Sequence, residues 1–291
     1  MGGATVRTLC IPVVVAAFAI ATTATSFDPD RGWRHLIDKL AADGIPRRAA
    51  ERIFRDPRVP AFDGLTYALE PRESRALYQS FLHGTSVGRA RRCKQQYESA
   101  LLRAERDYAV DHAVVAAILY VESQCGQYTG THAVLHRLAR LAMANEPGNV
   151  NRNVNGHLAA HRDRLATEVV TRSRQRAQYL EDMFYPEVLA TFTIAERLGI
   201  DPLRIRGSGA GAFGLPQFLP TSYLKYGVDG NADGSISLFD PDDAIASCAN
   251  YLQVHGWKPD LPHDERRKVI WHYNRSEPYV ETILSLADRL R

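Results

Sequence analysis

The feature that most constrains this chain is an unbroken apolar run from Ala113 to Val121, preceded by Asp111 and followed at once by Glu122. Val114, Val115, Ile118 and Leu119 repeat at helical spacing, and Asp111 is placed to accept the first free N–H groups as an N-cap. A helix that is apolar almost all round finds no wet face to offer, so it belongs inside a domain. The remainder of the chain has to wrap it. With 291 residues, 45% hydrophobic and 24% charged, the chain has the apolar content for a sizeable core and for one or two domains.

Around that helix the periodicity is helical nearly everywhere. Trp33, Leu36, Ile37 and Leu40 mark a first helix that Gly44 can stop, and Pro46 opens a second carrying Ala49, Ile53 and Phe54. Residues 62–82 read as turn-rich, and a long helix is predicted over 88–108. Further helices are predicted over 133–144, 158–185 and 186–198. Asparagines at 145, 149, 151, 153 and 155, with Pro147-Gly148, predict a loop over 145–157. Strand signals are sparse, the best being residues 235–238. The expectation is a mainly α unit with a small β element.

Residues 1–7 carry one basic residue, 9–21 are almost wholly apolar, and small residues follow at 21–26, the three-part pattern of a secretory signal peptide cleaved after Ala24 or Ser26. A single membrane anchor is the other reading, weakened by Pro12 and by the short run. The chain is thus expected to be periplasmic or secreted, with no obligatory anchor. Cys93, Cys125 and Cys248 then face an oxidising compartment. One bridge with one free thiol, or three small buried residues, both fit, and spacing does not choose a pair. A net charge of +3, from 36 basic and 33 acidic residues, lacks the dense cationic face of a nucleic-acid binder.

Three segments carry chemistry. In Tyr120-Val121-Glu122-Ser123-Gln124-Cys125-Gly126 a carboxyl group leaves an apolar helix into a turn. Partial burial would raise its pKa toward that of a general acid, and a solvated carboxylate at a fraying end is the plainer reading. The glycine-rich segment 206–220 lets backbone approach a ligand, with Ser208 and Gln217 as polar handles. It lacks the Gly-Lys-Ser/Thr ending and the βαβ setting of a phosphate loop. In residues 229–240, Asp229, Asn231, Asp233 and Ser235 stand at positions 1, 3, 5 and 7, with Gly234 at 6 and Ile236 at 8, as in an EF-hand calcium loop. Asp240 replaces the usual bidentate Glu. Asp is shorter, so ligation can pass to Asp243. Asp240-Pro241-Asp242-Asp243 competes as an N-cap, Pro at N1 and an acidic N3 starting the next helix, and the two readings are compatible if Asp240 caps and Asp243 ligates.

Taken in order, Val121-Glu122-Ser123, the segment 207–223, the calcium-type loop, Asp240-Pro241-Asp242-Asp243-Ala244-Ile245, Ala249-Asn250-Tyr251-Leu252, His255-Gly256-Trp257 and Tyr273-Asn274-Arg275-Ser276 resemble the lytic murein transglycosylase B family from about Gly32 onward. The resemblance implies a lysozyme-like helical fold that cleaves peptidoglycan glycan strands. In it Glu122 would be the single catalytic acid, protonating the oxygen between N-acetylmuramic acid and N-acetylglucosamine and then deprotonating the muramic C6 hydroxyl, leaving a 1,6-anhydro end. Ser208, Gln217, Tyr273 and Asn274 would bind substrate. Asp229, Asn231, Asp233, Ser235 and Asp243 would hold a structural calcium ion. The implied division is a signal peptide over 1–26, an N-terminal helical portion over 27–95, and a catalytic domain over 96–291 with an insertion near 145–157.

One carboxyl group suffices for such a reaction, because the attacking hydroxyl lies within the substrate. Asp182, Glu187 and Glu196 are accordingly read as helix-surface charges. The chain departs from the family pattern at Cys125, where an aromatic is usual, and at Gln175-Arg176, where an arginine pair would meet peptide stems. The competing reading is a peptidoglycan-binding protein that has lost catalysis.

Overall fold

The computed structural model describes residues 28–70 and 75–291. The expected signal peptide lies outside the described residues. Thirteen α-helices are seen among them, and the apolar run is the sixth in chain order, α6 (His112–Ser123). Asp111 caps it as expected, accepting the Ala113 N–H at 2.8 Å. Every residue from Ala113 to Tyr120 is buried. Four helices wrap it: α4 (Gly84–Gln96), α5 (Glu98–Tyr108), α11 (Pro241–Val254) and α13 (Glu277–Leu290). One apolar cluster runs from Trp33 through α6 to Leu290, and α1 (Arg34–Ala42) and α2 (Arg47–Phe54) contribute to it.

A second layer is built on α9 (Ala166–Leu198), which packs against α7 (Val134–Ala142), α8 (Pro147–Ala160) and α10 (Pro220–Tyr226). At 33 residues it is about 50 Å long. It runs through Pro186, so the two helices predicted over 158–185 and 186–198 are one from Ala166 onward. Conversely, the helix predicted over 88–108 breaks at Tyr97 into α4 and α5. The turn-rich stretch contains α3 (Arg75–Gln79). The two short strands, β1 (His132–Ala133) and β2 (Arg206–Gly207), pair antiparallel. The β element expected at 235–238 is not strand; Leu238 instead offers its carbonyl to the Leu215 N–H.

The loop predicted over 145–157 is also overturned: these residues form most of α8. Glu146 caps the helix through the Gly148 and Asn149 N–H groups, and Pro147 sits where its missing donor costs nothing. The asparagines then divide by face. Asn151 and Asn155 are exposed, whereas Asn149, Asn153 and His157 are buried against an extended segment. The Asn149 carboxamide oxygen accepts the Leu65 N–H, Asn153 accepts from Tyr67 and donates to the Leu65 carbonyl, and His157 Nε2 meets the Tyr67 carbonyl at 2.8 Å. Four helical residues rise about 6 Å, and two extended residues rise about 6.6 Å. The two repeats therefore stay in step, and side chains that usually favour turns act as a ladder.

Candidate functional site

Glu122 occupies the penultimate position of α6 and is half-buried. Its Oε1 accepts a 2.7 Å hydrogen bond from the hydroxyl of Tyr279, on the first turn of α13. Burial pushes the carboxyl pKa up to about 7, against the opposing effect of the Tyr279 bond. The group is therefore not a solvated carboxylate at a frayed end. It can hold a proton near neutrality and release it to an acceptor, which is what a general acid requires.

The turn that follows is tightly determined. Gln124, Cys125 and Gly126 all have positive φ, and the Gln124 and Cys125 N–H groups close the helix onto Tyr120 and Leu119. Ser123 turns its hydroxyl to the Leu215 carbonyl at 2.7 Å and accepts the Gly126 N–H. Through this bond the glycine-rich segment is attached directly to the end of α6. Within that segment Phe213 and Phe218 bridge each other, and a Cβ on Gly214 would lie 2.3 Å from that of Leu238, so only glycine allows the approach.

The residues expected to bind substrate are placed as follows. Gln217, itself at positive φ, donates to the carbonyls of Thr129 and Gly214. Tyr273, at the end of α12 (His263–Tyr273), donates to the Pro216 carbonyl at 2.6 Å and stacks on Tyr279. Both thus belong to one connected group with Glu122. Asn274 follows Tyr273, half-buried, and its carboxamide has no hydrogen-bond partner among the described residues. Ser208 uses its hydroxyl to accept the Ala212 N–H and closes its own loop, beside the backbone packing of Gly130 on Gly207.

Two participants escaped the sequence reading. Tyr279 lies 157 residues from Glu122, and its only local signal is the helix start made by Ser276 and Pro278, which turns it inward. Ser123 was visible in its motif, but its partner Leu215 is 92 residues away. Glu187 is a correction. It is buried rather than a surface charge, and it accepts the Thr221 N–H and hydroxyl at the start of α10. Burial raises its pKa, and those two bonds oppose the rise. Asp182 and Glu196 are exposed as expected.

In the loop between α10 and α11, Asp229 accepts the Asp233 and Gly234 N–H groups, Asn231 accepts from Asp233, and Asp233 accepts from the Ser235 N–H and hydroxyl. Asp240 caps α11, while buried Asp243 accepts from Gly230 and Ser237 and so pins both ends of the loop. Leu238, at the loop's end, supports the glycine-rich segment. A separate group, Glu105, Asp111 and His112, brings ligand atoms close together, but Asp111 is already bound by Arg291 and by the cap of α6. A concavity of about 970 Å³ lies between residues 63–70 and α8, and Glu122 does not line it.

Cys93 and Cys125 form a disulfide that joins α4 to the turn after Glu122, and Cys248 is a buried free thiol. Of the two readings left open by the sequence, one bridge and one thiol holds.

A family model for the transglycosylase SLT domain matches residues 28–267. The membrane-bound lytic murein transglycosylase B of Escherichia coli K12 is 36% identical over 162 residues, 56% of this chain. The match spans 36% of that relative's length. The Escherichia coli lytic transglycosylase SLT35 in complex with calcium superposes with a TM-score of 0.64 at 24% identity, over 89% of this chain and 92% of that one. SltB3 of Pseudomonas aeruginosa, in complex with NAG-anhNAM-pentapeptide, gives 0.62 at 21% identity, over 90% of this chain and 79% of that one. These likenesses bear out the mainly α, lysozyme-like fold.

Proposed function

This chain belongs to the transglycosylase SLT domain family, and from that premise we propose that it is a peptidoglycan lytic transglycosylase with Glu122 as its acid and then its base. The observation that carries the reading is a carboxyl group raised to about 7 by burial and held in place by the Tyr279 hydroxyl. Protonated Glu122 gives its proton to the oxygen between N-acetylmuramic acid and N-acetylglucosamine as the bond to C1 breaks. The resulting carboxylate takes the proton of the muramic C6 hydroxyl as that oxygen bonds to C1. A 1,6-anhydro end results, and no water is consumed.

Positioning does the remaining work, since a hydroxyl held within the same sugar has a high effective concentration. Gln217, Tyr273, Asn274 and Ser208 are assigned to substrate. Asn274 has the unpaired carboxamide suited to that task, whereas Tyr273 and Gln217 act through the backbone they hold.

We also assign the 229–243 loop to a structural calcium ion, held by Asp229, Asn231, Asp233, Ser235 and Asp243. The donors are all hard oxygens, three of them carboxylates, a set suited to calcium and poor for softer metals. Bound there, calcium would cross-link the loop and stiffen the support that Leu238 gives the glycine-rich segment. Among the described residues no helix is long and apolar enough to cross a membrane. We place the protein in the periplasm or outside the cell, on the strength of the N-terminal sequence pattern.

The test is mass analysis of the products from purified peptidoglycan, with Glu122→Gln in parallel. Anhydro products, lighter by one water than hydrolytic ones and absent with the variant, support the reading. Hydrolytic products overturn the intramolecular step. Binding without cleavage by folded, calcium-supplied protein overturns catalysis and leaves a wall-binding role.

A further inference from the structure

The disulfide sits where it can control Glu122. Cys125 stands three residues beyond the acid, in the middle of three successive positive-φ residues, of which only Gly126 adopts that conformation without steric opposition. Around the turn, the backbone is held by the N–H groups of Gln124 on Tyr120, Cys125 on Leu119, Gly126 on the Ser123 hydroxyl and Tyr128 on the Ser123 carbonyl, and by a 3.4 Å bond from the Tyr97 hydroxyl to the Cys125 carbonyl. The covalent tie to α4 is the strongest restraint on it. Helix ends fray when released, and Glu122 is the last residue but one of α6.

The bridge is also within reach of solvent. It borders a surface concavity of about 490 Å³ lined by Arg89, Arg92, Gln96, Gln124 and Gln127. Cys93 is buried, while Cys125 is half-buried and is the more accessible residue of the pair. Arg89 lies one helical turn before Cys93 and Arg92 is its neighbour; neither pairs with an acidic side chain among the described residues. Both arginines line the same concavity as the bridge, and positive charge near a departing sulfur favours its leaving as thiolate.

We propose that Cys93–Cys125 is a reducible latch, a thiol–disulfide exchange site whose opening by a dithiol reductant releases the turn after Glu122 and lowers activity. The incoming thiolate bonds to the Cys125 sulfur and Cys93 leaves as a thiolate, which takes a proton. The reductant's second thiol then displaces Cys125, leaving two cysteine thiols and an oxidised reductant. Cys248, buried within α11, takes no part. The effect on activity rests on the function proposed above; the exchange and the loosening of the turn do not.

The test treats native protein with dithiothreitol, caps the thiols with iodoacetamide, and measures three things: thiols freed, amide hydrogen exchange over residues 119–128, and peptidoglycan cleavage. The expected result is two capped cysteines, at 93 and 125, faster exchange confined to the turn and the end of α6, and about a tenfold loss of cleavage. The double variant Cys93→Ser/Cys125→Ser, with its fold checked by circular dichroism, should match the reduced protein without reductant and be insensitive to it. Unchanged exchange and cleavage after both thiols are freed overturn the proposal. So does a bridge that resists dithiothreitol until the protein unfolds. If oxidised protein cleaves nothing while the turn still loosens on reduction, the latch stands and the proposed function falls.

Discussion

Two regions of this molecule treat polar side chains taken out of water in opposite ways. On α8, the amide groups of Asn149 and Asn153 are matched: each oxygen accepts a backbone N–H, and each nitrogen donates to a backbone carbonyl. At the end of α6, Glu122 has a single side-chain hydrogen-bond partner among the described residues, Tyr279, and its pKa is displaced far from the usual carboxylate range. Matched burial lowers the energy of one arrangement and resists change. Incompletely compensated burial leaves a proton that can be exchanged at modest cost. The first region builds structure and the second is equipped for chemistry.

The widest gap between the regions should appear in Glu122→Gln. It keeps the shape and removes the exchangeable proton, so peptidoglycan cleavage should fall by about 10²–10⁴-fold, measured by product release. Asn153→Ala should do the reverse. It leaves the Leu65 carbonyl and the Tyr67 N–H without their partner, which should lower the unfolding free energy in urea by about 2 kcal/mol with the pH profile of cleavage unmoved. A shifted profile would mean that the regions are coupled. Tyr279→Phe removes the bond that opposes the upward shift, so the alkaline limb of the pH–rate profile should move to higher pH, with about a tenfold loss in rate from poorer placement.

The smallest effect concerns stability against pH. Because the folded pKa of Glu122 lies above its unfolded value, its contribution is fully present below about pH 4.5 and is lost as pH rises through about 7. Glu122→Gln should therefore be more stable than wild type at pH 8 and close to it at pH 4. The gain should be about 1–2 kcal/mol, since Glu122 keeps contact with solvent and the full shift overstates the penalty. Equal gains at both pH values would show that the carboxyl is not shifted.

The same contrast explains what could be read from the sequence. α6, its Asp111 cap, Glu122 and the Asp240 cap of α11 are local features, written in residues within a few positions of one another. The asparagine ladder depends on a partner 84 to 90 residues away, so the local turn preference of Asn prevailed in the reading and helix in the fold. Glu187 looked like a surface charge for the same reason, because Thr221 completes it from a distance. The Cys93–Cys125 pairing required knowing that α4 runs past the end of α6. In the glycine-rich segment composition foretold a tight loop, but not that Ser123 would hold it by the Leu215 carbonyl.

One helix ties the asparagine ladder to the start of α10. Near one end of α9, Ser173 meets His157 of the ladder; farther along, Glu187 starts α10. Fourteen residues separate the two attachments, about 20 Å along the helix, with Pro186 between them. Such a spacer sets both distance and angle: one residue inserted between Ser173 and Glu187 would move the two attachments apart by about 1.5 Å and turn them about 100° out of line with each other.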